Sequence, residues 1–268
     1  MSGKMQAAFT AACGCGDISV VKSLLCLEGA DRIDVHADES DAFQDACWNG
    51  HVDVVKLLLS LDGDQRIDVH AADECAFRDA CMSGHEDVVR LLLSLNGDRR
   101  IDIHAEDEEA FRSACTNGHE SIVKLLLSLD GDRRINVHAG DEEAFRSASS
   151  NGHEGMVVLL LALSGDRHID VHAREAGAVR GACKNGHENI VRQLLSLDGD
   201  RHIDVNAENE CAFRDACTNG HESIVELLLS LDGDRRINVH AEDEGAFRDA
   251  CRNGHERIMR LLLSLAGD

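Results

Sequence analysis

The sequence predicts an all-α repeat solenoid, a stack of about eight helix–turn–helix units joined by short extended connections. Three observations predict it. The dipeptide Ala-Phe recurs every 34 residues, from Ala8–Phe9 through Ala110–Phe111 to Ala246–Phe247, with Ala178–Val179 where the phenylalanine is replaced. Each period carries two apolar stripes at helical spacing, and the chain has no proline to break them. No linker or shift of composition interrupts the series. Residues 1–268 therefore read as a single repeat domain with units at about 6–39, 40–73, 74–107, 108–141, 142–175, 176–209, 210–243 and 244–268.

The unit 108–141 shows how each element arises. EEAFRSAC puts Ala110, Phe111, Ala114 and Cys115 on one face of a short first helix. TNG ends it, because Asn and Gly tolerate left-handed backbone angles. HESIVKLLLSL then forms a buried second helix. Its stripe is Ile122, Leu125, Leu126 and Leu129, with Val123 and Leu127 beside it, and Glu120 suits the positive helix start. Asp130–Gly131 is expected to stop this helix, the glycine lying just past the C-cap. RRINVHA alternates Ile135 and Val137, the pattern of a short extended return. Neither helix can bury its apolar face alone, so neighbouring units must cover it.

Composition narrows the function. The net charge of −23 argues against nucleic acid, whose phosphates need Lys and Arg. It favours a protein partner with a basic surface. No apolar run approaches the ~18 residues of a membrane span, so no membrane association is expected. The opening AAFTAAC aligns with EAFRSAC and CAFRDAC, so it reads as a first helix and not as a signal segment. Eleven cysteines in a chain read this way point to reduced thiols and a cytoplasmic setting.

NGH followed by IVKLLL, with DVHA beyond it, resembles the N-G-H-x-x-V-V-x-L-L-L and D-V-N-A segments of ankyrin repeats, and Asn206–Ala207 restores the asparagine. The resemblance covers nearly the whole chain. Tetratricopeptide repeats share the period, but their Trp/Gly/Tyr…Pro signature is missing. They also leave little room for the non-helical LDGDRRINVHAED. The ankyrin resemblance implies a non-catalytic protein-binding module whose first helices line a concave groove. There are departures from the family pattern. Where ankyrins carry T-P-L-H, this chain has EAFR or CAFR: Phe111 takes the leucine place, Ala110 the proline, Arg112 the histidine. The segment after DVHA is shorter than usual and the one before it longer. A trimmed β-hairpin finger and a prominent LDGDRR loop are therefore expected.

The cysteines and histidines invite a metal or catalytic reading. Cys13, Cys47, Cys81, Cys115, Cys183, Cys217 and Cys251 share one position with Ser149, which describes a small buried slot. Zinc needs four ligands at ~2.0–2.3 Å, and one unit offers at most Cys115, His119 and Glu120. A neighbouring unit lies ~8–10 Å away, too far to complete the set and beyond the ~7 Å limit for a disulfide. No metal, cofactor or catalytic residue is expected. By the resemblance, His119 and its equivalents at 51, 85, 153, 187, 221 and 255 hydrogen-bond the neighbouring backbone and join units. LDGDRR starts like a calcium loop, but arginines follow and the closing glutamate is absent. The arginines at 78, 112, 146, 180, 214 and 248 are expected to pair with carboxylates such as Asp79, Asp107 and Glu108.

Positions that vary between units are the candidates for recognition. One series runs Asp45, Asp79, Ser113, Ser147, Gly181, Asp215, Asp249, and the other Trp48, Met82, Thr116, Ser150, Lys184, Thr218, Arg252. Both fall near the end of the first helix, and Trp48 beside Met82 would suit an interface anchor. Gly140, Gly177, Gly181, Val179 and Gln193 suggest a softer joint around units five and six. Ser23 takes a leucine position in the first unit, a polar cap. The last unit keeps LLLSL, so self-association through this uncapped C-terminal repeat is one expected use of it. The reading is a partner-binding module. The alternatives are a structural spacer or idealised repeat scaffold without a dedicated partner, and a Cys/His metal protein.

Overall fold

The computed structural model describes residues 2–265, apart from the side chains of Ser2, Ala30, Asp38, Glu39, Ser40 and Asn209. They fall into two compact bodies, Met1–Asn136 and Val137–Asp268. The first holds α1 (Ser2–Cys15), α2 (Ile18–Leu25), α3 (Ala37–Trp48), α4 (Val52–Leu59), α5 (Ala71–Met82), α6 (Glu86–Leu93), α7 (Ala105–Thr116) and α8 (Glu120–Leu127). The second holds α9 (Ala139–Ser150), α10 (Glu154–Leu161), α11 (Ala173–Asn185), α12 (Glu188–Leu195), α13 (Ala207–Asn219), α14 (Glu222–Leu229), α15 (Ala241–Asn253) and α16 (Glu256–Leu265). Within each body, odd-numbered helices pack on odd-numbered ones and even on even, so every unit adds one helix to each of two layers.

The core sits between those layers. Phe9, Phe43, Phe77 and Phe111 are fully buried in the first body, as are Phe145 and Phe213 in the second. On α8 the fully buried residues are Ile122, Val123 and Leu126. Leu125 and Leu129 are only half-buried. Val123, placed beside the stripe by sequence, is thus central. The helix ends at Leu127, before Asp130–Gly131, because Ser128 Oγ donates to the Leu125 carbonyl at 2.6 Å and closes the last turn. Gly131 instead opens a 3₁₀ turn, Gly131–Arg133.

That 3₁₀ turn explains both arginines of DRR. Arg99 donates to the carbonyl of Leu59, the last residue of α4, at 3.1 Å. Arg133 does the same for Leu93 at 3.3 Å, Arg201 for Leu161 at 3.2 Å and Arg235 for Leu195 at 2.8 Å. Each thus caps the second helix of the unit before, a cation at the negative helix end. Arg99→Ala should cost about 1 kcal/mol, read as a lower urea midpoint at an unchanged m-value. The second arginine forms a bidentate pair with the next loop: Arg32 with Asp64, Arg66 with Asp98, Arg100 with Asp132, the closest oxygens at 2.6–2.8 Å. These pairs are solvent-exposed and contribute little.

The β-hairpin finger expected from the sequence is absent: no strand occurs among the described residues. Instead the chain enters α7 through a left-handed turn, with Glu106, Asp107 and Glu108 at φ 53°, 55° and 64°. α5, α9, α11 and α15 begin the same way. Such angles cost roughly 1–2 kcal/mol per non-glycine residue, so something must hold them. Arg112 donates to the Glu106 carbonyl at 2.9 Å, and Arg78, Arg146 and Arg248 reach the equivalent Ala72, Gly140 and Glu242. The arginine column therefore braces this turn. Its carboxylate partners are Glu109 for Arg78, Asp215 and Glu208 for Arg180, and Asp249 for Arg214. Glu108, assigned to the arginines by sequence, is buried and held by His104 instead.

The histidine of DVHA fastens the turn to the next unit. His104 Nδ1 lies 2.7 Å from Glu108 Oε1, and Nε2 lies 2.8 Å from the Asp132 carbonyl one unit on. Glu108 Oε1 also accepts from the Asn136 N–H at 3.0 Å. His70–Glu74 and His138–Glu142 repeat this arrangement. The extended segment therefore satisfies its backbone through side chains one unit away, with no strand ladder.

The NGH histidine is the second fastener. His119 Nε2 reaches the Met82 carbonyl at 2.9 Å, and His51, His187, His221 and His255 reach Gly14, Ser150, Lys184 and Thr218 at 2.9–3.0 Å. The glycines of units five and six also have packing roles. Gly140 takes the first left-handed position at φ 62°, where other units strain an ordinary residue. At Gly181 a Cβ would lie 1.9 Å from Ser150 Oγ, so glycine makes room for that serine. In the last unit Leu263 is 58% exposed, and Phe247, Cys251 and Met259 are half-buried where Phe213, Cys217 and Val225 are covered.

Candidate functional site

The two variable series lie toward the ends of the first helices, in α3, α5 and α7 of one body and α9, α11, α13 and α15 of the other. Trp48 is 43% exposed, and Lys184 and Arg252 are also exposed. Asp45, Asp79, Met82, Ser113 and Thr116 are half-buried, as are Ser147, Ser150, Asp215, Thr218 and Asp249. This division separates the series by what each side chain is free to do.

Several are engaged by the scaffold. Thr116 and Thr218 hydroxyls donate to the Arg112 and Arg214 carbonyls at 2.8 and 2.7 Å, turning back on their own helices. Asp215 accepts from Arg180 at 2.8 Å, and Asp249 from Arg252 at 3.2 Å and Arg214 at 3.5 Å. Ser150 fills the space left by Gly181. In the first body the aspartates are less well matched. Burial raises the Asp45 carboxyl above its usual range, with Asp41 adding to it. Burial does the same to Asp79, although the Cys75 thiol donates to it at 3.5 Å. Trp48 and Met82 occupy equivalent positions on the packed helices α3 and α5, each three residues beyond one of these aspartates. An aromatic and a thioether thus sit among under-compensated carboxylates.

Most of the cysteine column is packed into the core. Cys47, Cys81, Cys115, Cys183 and Cys217 are fully buried, and Ser149 fills the same slot with its hydroxyl on the Phe145 carbonyl at 2.8 Å. Burial, with Asp45 nearby, pushes the Cys13 thiol up to about 12, and burial with Asp249 nearby takes Cys217 to about 12. A buried protonated thiol is neither a nucleophile nor a metal ligand. Among the described residues no group of three or more His, Cys, Asp or Glu is placed to hold a metal, and no helix is long and apolar enough to cross a membrane. A cavity of about 300 Å³ lies on the second helices, lined by Glu222, Glu226, Arg257, Ile258, Arg260 and Leu261. Its walls come from α14 and α16, from positions of the repeated NGH…LLL segment that the sequence reads as scaffold.

No curated protein matches the chain. Among solved structures it is similar to an ankyrin repeat family protein from Legionella pneumophila, at 21% identity and a TM-score of 0.42 over 97% of this chain and 69% of that one. A family model described as ankyrin repeats in three copies matches residues 4–107, 77–175, 147–243 and 179–268. Those matches together run from residue 4 to residue 268, including the segments whose helix opens on a left-handed turn, and the chain belongs to the ankyrin repeat family.

Proposed function

We propose that this chain binds another protein through the ends of its first helices, without chemistry, in a reducing cytoplasmic setting. Trp48 carries the reading. It is the chain's single tryptophan, and it stands 43% exposed beside the position of Met82 where a core residue would be buried. Exposed aromatics of this kind anchor interfaces, because they bury a large area at low entropic cost. The net charge of −23 and the raised carboxyls of Asp45 and Asp79 favour a basic partner surface, which would relieve both. In the second body the exposed Lys184 and Arg252 place cations in the same series, Arg252 paired with Asp249, so selectivity would come from both charge and shape.

Partner capture from lysate on the immobilised chain, washed at low and high salt, tests this directly. Trp48→Ala with Met82→Ala should weaken a specific partner by about 30-fold, the ~2 kcal/mol of a hot spot. Emission from the single tryptophan should shift when that partner is added. Equal retention on chain and variant would remove this face from consideration and favour the spacer reading.

A further inference from the structure

Three imidazoles of the DVHA row, those of His70, His104 and His138, each face two acceptors. At His70, Nε2 lies 2.8 Å from the Asp98 carbonyl and Nδ1 lies 2.6 Å from Glu74 Oε1. A carbonyl only accepts, so Nε2 must carry a hydrogen. The Nδ1–Oε1 contact then also needs a hydrogen, whether it rests on the imidazole or the carboxyl. A neutral imidazole beside an ionised carboxylate is one proton short, and one of the two bonds is lost. The carboxylate has little alternative. Glu74, Glu108 and Glu142 are 3–4% exposed, and their Oε2 atoms have no hydrogen-bond partner among the described residues. The same Oε1 receives a backbone N–H from 28 residues on, at Asp102, Asn136 and Asp170, at 3.0–3.1 Å.

We propose that His70–Glu74, His104–Glu108 and His138–Glu142 are proton-held clasps that grip the following unit at neutral and mildly acidic pH and loosen as the pH rises. The charge around them supports retention of the proton. The carboxylates of Asp68, Asp102 and Asp166 face His70, His104 and His138, while Asp98 and Asp132 meet His70 and His104 through their backbone carbonyls. Arg66 and Arg99 lie near Asp98, and Arg100 and Arg133 near Asp132, partly offsetting that field. The His70 imidazole is raised by its bond to Glu74, and that of His138 by the Asp166 carbonyl and then Glu142. At His104 burial opposes the charged form, but the Glu108 and Asp132 bonds outweigh it. A folded pKa above the unfolded one stabilises fully below the unfolded value of ~6.5, and that stabilisation is lost as the pH passes upward through the folded value.

The junction of the sixth and seventh units supplies an internal control. There Asn206 replaces the histidine and donates to the Asp234 carbonyl at 2.8 Å, while Glu210 still receives the Asn238 N–H at 3.0 Å. Amide exchange of the whole chain, corrected for intrinsic rates, should be compared at about pH 6 and about pH 8.5, on either side of the ordinary imidazole value. Protection of Asp102, Asn136 and Asp170 should fall at the higher pH, by up to about tenfold for each unit by which the folded pKa exceeds the unfolded one. Asn238 should hold. In the Glu74→Gln/Glu108→Gln/Glu142→Gln variant one amide group cannot both donate to Nδ1 and accept the backbone N–H at the same point, so protection of these three amides should be lower and its pH dependence should disappear. Imidazole nitrogen spectra should also show both nitrogens of the three histidines bearing hydrogen at pH about 6. Parallel behaviour of all four amides, or the same pH dependence in the glutamine variant, would overturn the proposal.

Discussion

Gly84→Ala is expected to destabilise the first body by about 2–5 kcal/mol, a left-handed backbone cost plus overpacking. Gly84 sits at φ +83°, and an added Cβ would meet His119 Cε1 at 2.6 Å and Nδ1 at 2.7 Å. The ring cannot retreat cheaply, because its Nε2 is fixed on the Met82 carbonyl. Urea denaturation of Gly84→Ala, His119→Ala and the double variant separates the two contributions. If the ring is the obstacle, the double variant loses less than the sum of the single ones. Strict additivity would leave only the backbone cost and would deny the glycine–histidine packing its role.

Phe111→Ala should cost about 3–5 kcal/mol, the range for emptying a well-packed aromatic site. Phe111 is fully buried in α7, against α5 and α8. The same change at Phe247, half-buried in α15, should cost clearly less. Paired denaturation midpoints check the ranking. Repeat units contact only their neighbours, so the damage should also be local. Hydrogen exchange in Phe111→Ala should lose protection first in α7 and α8 and keep it in α2. Equal costs at the two phenylalanines would mean that coverage by the next unit does not set the energy of this column.

Much of this was legible because repetition acts as an internal control. Phe111, Cys115 and His119 recur at one register, and a side chain repeated at each joint is more economically read as packing than as a site. Glu108 was misread for a specific reason. It is charged and near in sequence to an arginine, so pairing on a surface was the natural expectation. The structure buries Glu108 against His104, and Arg112 also takes up a backbone carbonyl. A periodic reading cannot register a left-handed turn in AED or AAD, because no glycine announces it; only Gly140 gives that signal. The DVHA histidine was legible as a repeated letter, but its partners stand four and 28 residues away.

By itself the sequence determined the period, the two helices of each unit and the phenylalanine and cysteine slots, because apolar spacing and turn residues act within a few residues of one another; the role of the NGH histidine came from the family resemblance. The tertiary structure decided what the polar residues do: which carboxylate is buried, which arginine caps a helix or braces a turn, and which histidine shares a proton. Those choices depend on burial and on acceptors supplied by the next unit. A charge in water and a charge covered by a neighbour have the same letter, and only the neighbour's position sets its hydrogen bonds and its cost.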